Sequence, residues 1–271
     1  AYYLGDVEIR SYRCKTNLVS NTAFRGFGGP QGMVAIERII DEIAMTVGRD
    51  PLDVRIANYY GTDDRNTTPY HMVVEDNVLG DLTDDILNAS DYRKRRADVE
   101  AFNAQSPVLK KGLSLTPVKF GISFTTSFLN QAEAAVRFVP GKVIIGDQAK
   151  LSFGDVIKQA YLARVSLSAT GYYATPKIHY DRENASGRPF YYFAYGMACS
   201  EVLIDTLTGE NKVTRVDIIH DVGQSLNPAI DRGQIEGGFI QGMGWLTTEE
   251  LWWDDARGGG IRHDPVAWCT Y

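Results

Sequence analysis

The chain has 271 residues, of which 44% are hydrophobic, so it can bury the core of one large domain or of two ordinary domains. Its net charge of -6 and its pI near 5.3 argue against a general nucleic-acid surface or an anionic-membrane surface. The sequence contains no run of about eighteen apolar residues and no leader-like start, so we expect no membrane span and a cytoplasmic protein.

The possible metal ligands are scattered along the chain. Cys14, Cys199 and Cys269 are odd in number, far apart and without the spacing of paired ligands. This pattern disfavours a disulfide framework, a zinc site and an iron–sulfur cluster within the chain. The histidines are equally dispersed, so we expect no metal held by side chains of this chain; they are His71, His179, His220 and His263.

Residues 21–32 form the stretch that most resembles a site. They carry four glycines, which let a backbone approach a flat or anionic group closely. Phe24 and Phe27 supply aromatic faces, and Arg25 supplies a permanent charge with a planar set of donors. A helix predicted over 33–47 would add its positive N-terminal end. The alternative is an ordinary glycine-rich turn with core phenylalanines and a solvated arginine.

The first half of the chain is predicted to be mainly helical. Asp50 followed by Pro51 is a strong helix start, and Gly48 ends the helix before it. Residues 113–128 then change character, because polar and aromatic residues alternate as in broken strands. Hydrophobic periodicity in this half predicts a strand over 6–13 and helices over 33–47, 52–60, 84–88 and 91–103.

Gly121 lies inside a strand pattern, which indicates a bulge or the close approach of something bulky. We therefore consider Phe124 and Thr125, which follow it, as candidate site residues. The competing interpretation is that both residues belong to the core of a sheet.

The second half is predicted to be mixed. Residues 205–210 form a good hairpin loop, which makes the long segments on either side antiparallel partners. Ser152 is a predicted helix cap, and Asn227 with Pro228 opens another helix. The predicted elements are strands over 143–145, 190–204 and 212–220, helices over 153–162 and 228–251, and an irregular segment over 164–170.

The last predicted helix is unusual because five glycines lie within it. Each interior glycine costs up to about 1 kcal/mol of helix stability relative to alanine, so another interaction should compensate. The glycines either admit a neighbouring helix or let Gln241 and the backbone touch a bound cofactor. They are Gly233, Gly237, Gly238, Gly242 and Gly244.

Taken together, several long motifs resemble the molybdopterin-binding large subunit of xanthine dehydrogenase. They are residues 14–17, 21–31, 119–132 and 221–250, and the similarity also covers 163–209. The resemblance implies an α+β fold with mixed sheets packed against helices, part of the molybdopterin-binding domain of a molybdenum hydroxylase. It divides the chain into a first part over 1–132, a second part over 133–255 and a divergent tail over 256–271.

The resemblance also implies an activity and its site. The expected enzyme oxidises hypoxanthine or xanthine to urate with water as the oxygen source. Arg25 and Gln241 would contact the molybdopterin cofactor, Phe27 and Phe124 would sandwich the purine, and Thr125 would orient it. Electrons would pass through 2Fe-2S centres and FAD to NAD in partner domains or a partner subunit, and the intact enzyme would be an oligomer.

The chain departs from the family pattern at one internal point. After Ala132 the family continues into a long segment that contacts the cofactor, whereas this chain passes directly to Glu133. Either a segment is deleted or the sequence joins two pieces across missing residues. The family's general-base glutamate lies outside this chain, so we assign no catalytic residue and expect a fragment that is inactive alone. The rival hypothesis is a non-enzymatic interaction or assembly module that keeps the scaffold.

Overall fold

The computed structural model describes residues 1–15, 23, 25–135, 142–145, 149–168, 170–249, 253–254 and 260–261. These residues form two compact units, one within 1–121 and 192–271 and the other over 122–191. The sequence-based division near residue 132 stays a prediction. No helix in the described ranges is long and apolar enough to cross a membrane.

Four helices precede the first strand, and the rest of the described chain is mostly antiparallel strand pairs with two further helices, which confirms the α+β class. In chain order the described elements are α1 Gly29–Val47, α2 Pro51–Ala57, α3 Leu79–Ser90, α4 Tyr92–Gln105, β1 Leu109–Ile122, a 3₁₀ turn Ser127–Leu129, β2 Gln131–Ala135, β3 Lys142–Ile145, β4 Ala149–Ser152, α5 Phe153–Leu162, β5 Thr170–Ala174, β6 His179–Asp181, β7 Ser186–Arg188, β8 Tyr192–Asp205, β9 Asn211–His220, α6 Pro228–Thr247, β10 Trp253–Asp254 and β11 Gly260–Ile261.

The first unit is built on a three-stranded sheet in the order β1–β8–β9. Buried side chains alternate along its strands, Leu113 and Leu115 on β1 and Tyr195, Met197 and Cys199 on β8. Alternation of this kind places one face of each strand in the core. Helices α1 to α4 contribute most of the other buried residues of the same cluster, including Ile40, Ala44, Leu52, Leu79, Ile86, Tyr92 and Val99.

Local chemistry determines several element ends as predicted. The Asp50 side chain accepts a hydrogen bond from Leu52 N at the start of α2, and Ser152 caps α5 in the same way. Gly48 ends α1 in the left-handed conformation. The long hairpin is also confirmed, because β8 and β9 pair antiparallel from Ile204 with Asn211 to Gly196 with His220.

Other predicted elements were wrong in type or in length. Residues 6–13 form no strand, although apolar and polar residues alternate weakly there. They are exposed, so no other part of the described chain packs against them. The strands predicted over 113–128 are one continuous strand that begins at Leu109 and ends at Ile122. Helix α6 stops at Thr247 rather than at residue 251, and α2 ends at Ala57.

The second unit contains helix α5, which was predicted, and short antiparallel strand pairs, which the sequence analysis mostly missed. Strand β2 pairs with β5, β3 with β4, and β6 with β7. The pair β2–β5 runs through the predicted junction, with Ala132 opposite Tyr173 and Glu133 opposite Tyr172. The chain is therefore a regular strand at the point where it departs from the family pattern.

A buried arginine ties α1 to α2. Arg55 is 1% exposed, its Nε donates to Glu37 Oε2 and its Nη2 donates to Asp41 Oδ1, both at 2.7 Å. Tyr2 OH donates to the other oxygen of Glu37 at 2.6 Å. Because these partners lie on α1 and Arg55 lies on α2, the charges determine how the two helices meet.

We expect Arg55→Ala to destabilise the protein by about 3 kcal/mol, because it leaves two carboxylates without their buried cation. The value is at the lower end of the usual range because Asp41 is 39% exposed and can be rehydrated. Urea unfolding measures the change. The exposed pair Arg38–Glu42 is the control, and Arg38→Ala should cost at most about 0.5 kcal/mol. Equal losses in the two variants would contradict the assignment.

Lys119 on β1 is a cation enclosed by aromatic rings. Its Nζ lies 3.6 Å from the centre of the Phe193 ring and 4.6 Å from that of Tyr60. No carboxylate among the described residues forms an ion pair with it, and burial lowers the pKa of Lys119 to about 8.

This lowered pKa predicts a pH-dependent stability. Between about pH 8 and pH 10 the unfolded chain holds a proton on Lys119 that the folded chain has lost, so the free energy of unfolding rises with pH, by at most about 1 kcal/mol per unit. Above about pH 9 Cys199 opposes the rise, and above about pH 10 Tyr59 does so too, because burial raises the pKa of both groups, that of Tyr59 to about 12. Urea unfolding at several pH values should show the rise in the wild type and in Lys94→Met, an exposed control, but not in Lys119→Met. A rise that survives Lys119→Met would assign it to another group.

Candidate functional site

The glycine-rich loop folds as a tight left-handed turn before α1. Gly26, Phe27 and Gly28 all have positive φ, of 88°, 51° and 96°. A Cβ on Gly26 would lie 2.6 Å from the ring of Pro30, so both its conformation and its space require glycine. The loop interpretation is confirmed for Arg25 to Gly28 but is wrong for Gly29 to Gly32, which are helical, and residues 16–22 and Phe24 lie outside the described residues.

Helix α1 begins earlier than predicted, at Gly29 instead of residue 33. Pro30 is compatible with the first turn because its missing N–H has no partner to lose there. Gly29 itself lies against β1, because a Cβ at this position would come within 2.4 Å of Phe120 Cε2. The phenylalanine ring therefore packs on bare helix backbone and holds the loop at the end of β1.

Arg25 extends from this loop onto α6. Its Nη2 donates to the main-chain oxygen of Gln234 at 2.8 Å and to Oε1 of the same residue at 2.9 Å. The guanidinium also lies beside two glycines of the helix, since added Cβ atoms on Gly237 and Gly238 would be 3.7 and 3.6 Å from its atoms. The contact partly explains the glycines of α6, because two of the five border Arg25.

Gln241 lies on the same face of α6 as the Arg25 contact. Gln234, Gly238 and Gln241 are spaced i, i+4 and i+7, which places them along one side of a helix. The Gln241 side chain is half-buried and makes no hydrogen bond to any residue that the structure describes. The structure thus brings the two predicted cofactor residues to one helix face and leaves an amide there with unused donors and acceptors.

Phe27 is exposed at the turn of the loop, two residues from Arg25. Its side chain is 71% exposed and its backbone is left-handed, which is unusual for a bulky residue. Left-handed non-glycine residues persist where surrounding structure enforces them and are frequent at binding sites. Here the neighbouring Gly26 and Gly28 impose the turn, and it presents the ring to solvent.

Phe124 and Thr125 belong to the second unit and lie beyond the end of β1, not in a strand as predicted. The strand ends at Ile122. Asn130 holds the loop that follows, because its Oδ1 accepts from Phe124 N at 2.7 Å and its Nδ2 donates to Phe124 O at 2.9 Å. Phe124 is 51% exposed, so the sheet-core interpretation is wrong. A purine sandwich between Phe27 and Phe124 stays a prediction.

A groove of about 650 Å³ lies on another side of α6, against β9. It is mostly apolar, with Val216 and Ile218 on the strand and Ile235 and Phe239 on the helix. Ile235 and Phe239 lie on a different side of α6 from Gln234 and Gln241. No group of three or more candidate metal-ligating side chains occurs in the described ranges.

Comparisons with known proteins identify the class. Two family models described as "Molybdopterin cofactor-binding domain" match residues 1–59 and 132–266. Arg25 and Phe27 lie in the first matched segment and Gln241 in the second. The chain belongs to the family of molybdopterin cofactor-binding domains.

Curated relatives agree with this family. A xanthine dehydrogenase/oxidase of Felis catus is 39% identical over 313 residues, covering 88% of this chain and 23% of the relative. A xanthine dehydrogenase/oxidase of Gallus gallus is 38% identical over 346 residues, covering 98% of this chain and 25% of the relative. The chain spans about a quarter of such relatives. The second alignment is longer than the whole chain of 271 residues, so this relative carries additional residues within the aligned region.

Solved structures share the fold. An aldehyde oxidoreductase from Desulfovibrio gigas has a TM-score of 0.63 at 21% identity, covering 82% of this chain and 32% of that chain. A CO dehydrogenase from Oligotropha carboxidovorans has a TM-score of 0.59 at 16% identity, covering 86% and 42%. At these identities the likeness concerns the fold alone.

The packing of Phe120 on Gly29 predicts opposite effects for two glycines of α1. Gly29→Ala should destabilise the protein by about 1 to 3 kcal/mol, because the methyl group displaces the ring. Gly32→Ala should stabilise it by up to about 1 kcal/mol, because no atom lies within 4 Å of an added Cβ and alanine favours the helix. Thermal unfolding of both variants tests this, and stabilisation by both would show that Phe120 does not pack as described.

Proposed function

We propose that this chain is the molybdopterin-binding and substrate-binding part of an enzyme that oxidises hypoxanthine and xanthine to urate. The observation that carries the proposal is the contact between Arg25 and α6, on the helix face that bears Gln241. This contact between Arg25 and α6 joins the two segments that match cofactor-binding family models. The similarity to xanthine dehydrogenases supports a purine as the substrate.

The residues fit an anionic, hydrogen-bonding cofactor. Among the described residues Arg25 donates only through Nη2 and has no carboxylate partner, so its charge and its remaining N–H groups are available to an anion. Gln241 can donate and accept through its amide. When bound, molybdopterin would supply the redox chemistry and the site at which oxygen from water is transferred.

The chain's own residues would bind and orient. Phe27 and Phe124 are large, exposed rings that can stack on a flat heterocycle, and Thr125 offers a hydroxyl to its edge. No described residue is assigned as the general base. Electron transfer through 2Fe-2S centres and FAD to NAD would occur in partner domains or a partner subunit of a cytoplasmic oligomer.

The proposal predicts that the purified 271-residue chain takes up molybdopterin but fails to match the turnover of an intact enzyme with xanthine. Absence of a general base alone removes about 10²- to 10⁴-fold in rate. Intact mass, molybdenum content per chain and urate formation are measured on one preparation. Arg25→Ala and Gln241→Ala should lower the molybdenum content, and the exposed control Arg232→Ala should not.

Two outcomes would contradict the proposal. A folded chain that takes up no molybdopterin would favour the non-enzymatic interaction or assembly module. Full xanthine turnover by a preparation of this mass would show that the chain contains its own general base.

A further inference from the structure

Arg25 differs from Arg55 and Arg95 in the acceptors of its hydrogen bonds. Arg55 and Arg95 donate to carboxylates, those of Glu37 and Asp41 for the first and Glu201 and Asp217 for the second. Arg25 instead donates to a main-chain oxygen and a side-chain amide oxygen, both of Gln234. Two neutral acceptors hold the guanidinium in place and leave its positive charge uncompensated.

The backbone of α6 is shaped for this arrangement. The Arg25 Cζ and Nη2 atoms lie 3.6 Å from where a Cβ of Gly238 would be, which is ordinary van der Waals contact. Alanine would fit here, but a longer side chain would displace the guanidinium. By contrast, Gly233 and Gly242 meet nothing within 4 Å. Gly237 and Gly238 therefore permit the approach on which the two hydrogen bonds from Arg25 depend.

We propose that Gln234 is a positioning residue that fixes Arg25 and keeps its charge free for the anionic cofactor. The proposal rests on the proposed function, because it assumes that Arg25 binds molybdopterin. Both bonds to Gln234 use Nη2, so Nε–H and Nη1 donate to no residue in the described part of the chain. A glutamate at 234 would hold Arg25 equally well but would neutralise it.

Three variants test separately whether Gln234 holds the guanidinium of Arg25 in place and whether it leaves the positive charge of Arg25 uncompensated. Gln234→Ala removes the side-chain acceptor, Gln234→Glu keeps an acceptor but adds a negative charge, and Arg232→Ala is the control on the same helix. Arg232 is exposed and contacts only Glu236 in the described residues. Circular dichroism first establishes that each 271-residue variant is folded.

The first measurement is ¹⁵N NMR of the arginine guanidinium groups, with Arg25→Lys used to assign the signal. Slow rotation about Cζ–Nη2 should give Arg25 a resolved Nη resonance in the wild type, in Gln234→Glu and in Arg232→Ala. Gln234→Ala should lose it, because one of the two acceptors is gone. A resonance unchanged in Gln234→Ala would overturn the positioning role.

The second measurement is the affinity of each variant for molybdopterin. Gln234→Ala should weaken binding about 10- to 100-fold, the usual effect of a hydrogen bond to a charged group. Gln234→Glu should weaken it at least as much although Arg25 remains held, and Arg232→Ala should not weaken it. Wild-type affinity in Gln234→Glu would overturn the charge argument. If the folded wild type binds no molybdopterin, the proposed function fails, and the NMR result alone decides whether Gln234 positions Arg25.

Discussion

Bare backbone at glycine positions is the constraint on which the site depends. Phe120 packs on α1 because Gly29 has no side chain, and Arg25 lies against Gly237 and Gly238, where a side chain longer than that of alanine would displace it. Interior glycines lower helix stability, and these two border a contact between residues 209 positions apart. Residues 25–29 therefore contact both β1, through Phe120, and α6, through Gln234.

The anchored arginines of the first unit differ in whether a carboxylate pairs with them. Arg55 and Arg95 are buried with carboxylate partners and join α1 to α2 and α4 to the sheet. A buried ion pair needs excellent geometry to offset desolvation, and these pairs are short. Arg25 is exposed and bound only by neutral acceptors among the described residues. Carboxylates neutralise Arg55 and Arg95, whereas Arg25 keeps its charge.

The sequence predicted those features that local chemistry determines. The caps at Asp50 and Ser152, the end of α1 at Gly48 and the β8–β9 hairpin depend on neighbouring residues only, and all were correct. Gln234 was missed because its role comes from a contact that no local pattern encodes. The pairing of β2 with β5 was missed for the same reason, since its strands are short and far apart in sequence. The start of α1 was predicted too late because its glycines indicated a loop, whereas Gly29 and Gly32 are helical.

The predicted departure from the family pattern falls on the second unit, where β2 runs without interruption through Ala132 and Glu133. The departure therefore lies closer in sequence to some candidate site residues than to others. Phe124 and Thr125 lie in the loop that Asn130 holds, immediately before that strand. Arg25 and Gln241 lie in the first unit and depend on α6 and the glycine-rich loop. The predicted departure therefore lies next to the residues proposed to bind the substrate, whereas Arg25, proposed to bind the cofactor, is held by a contact within the first unit.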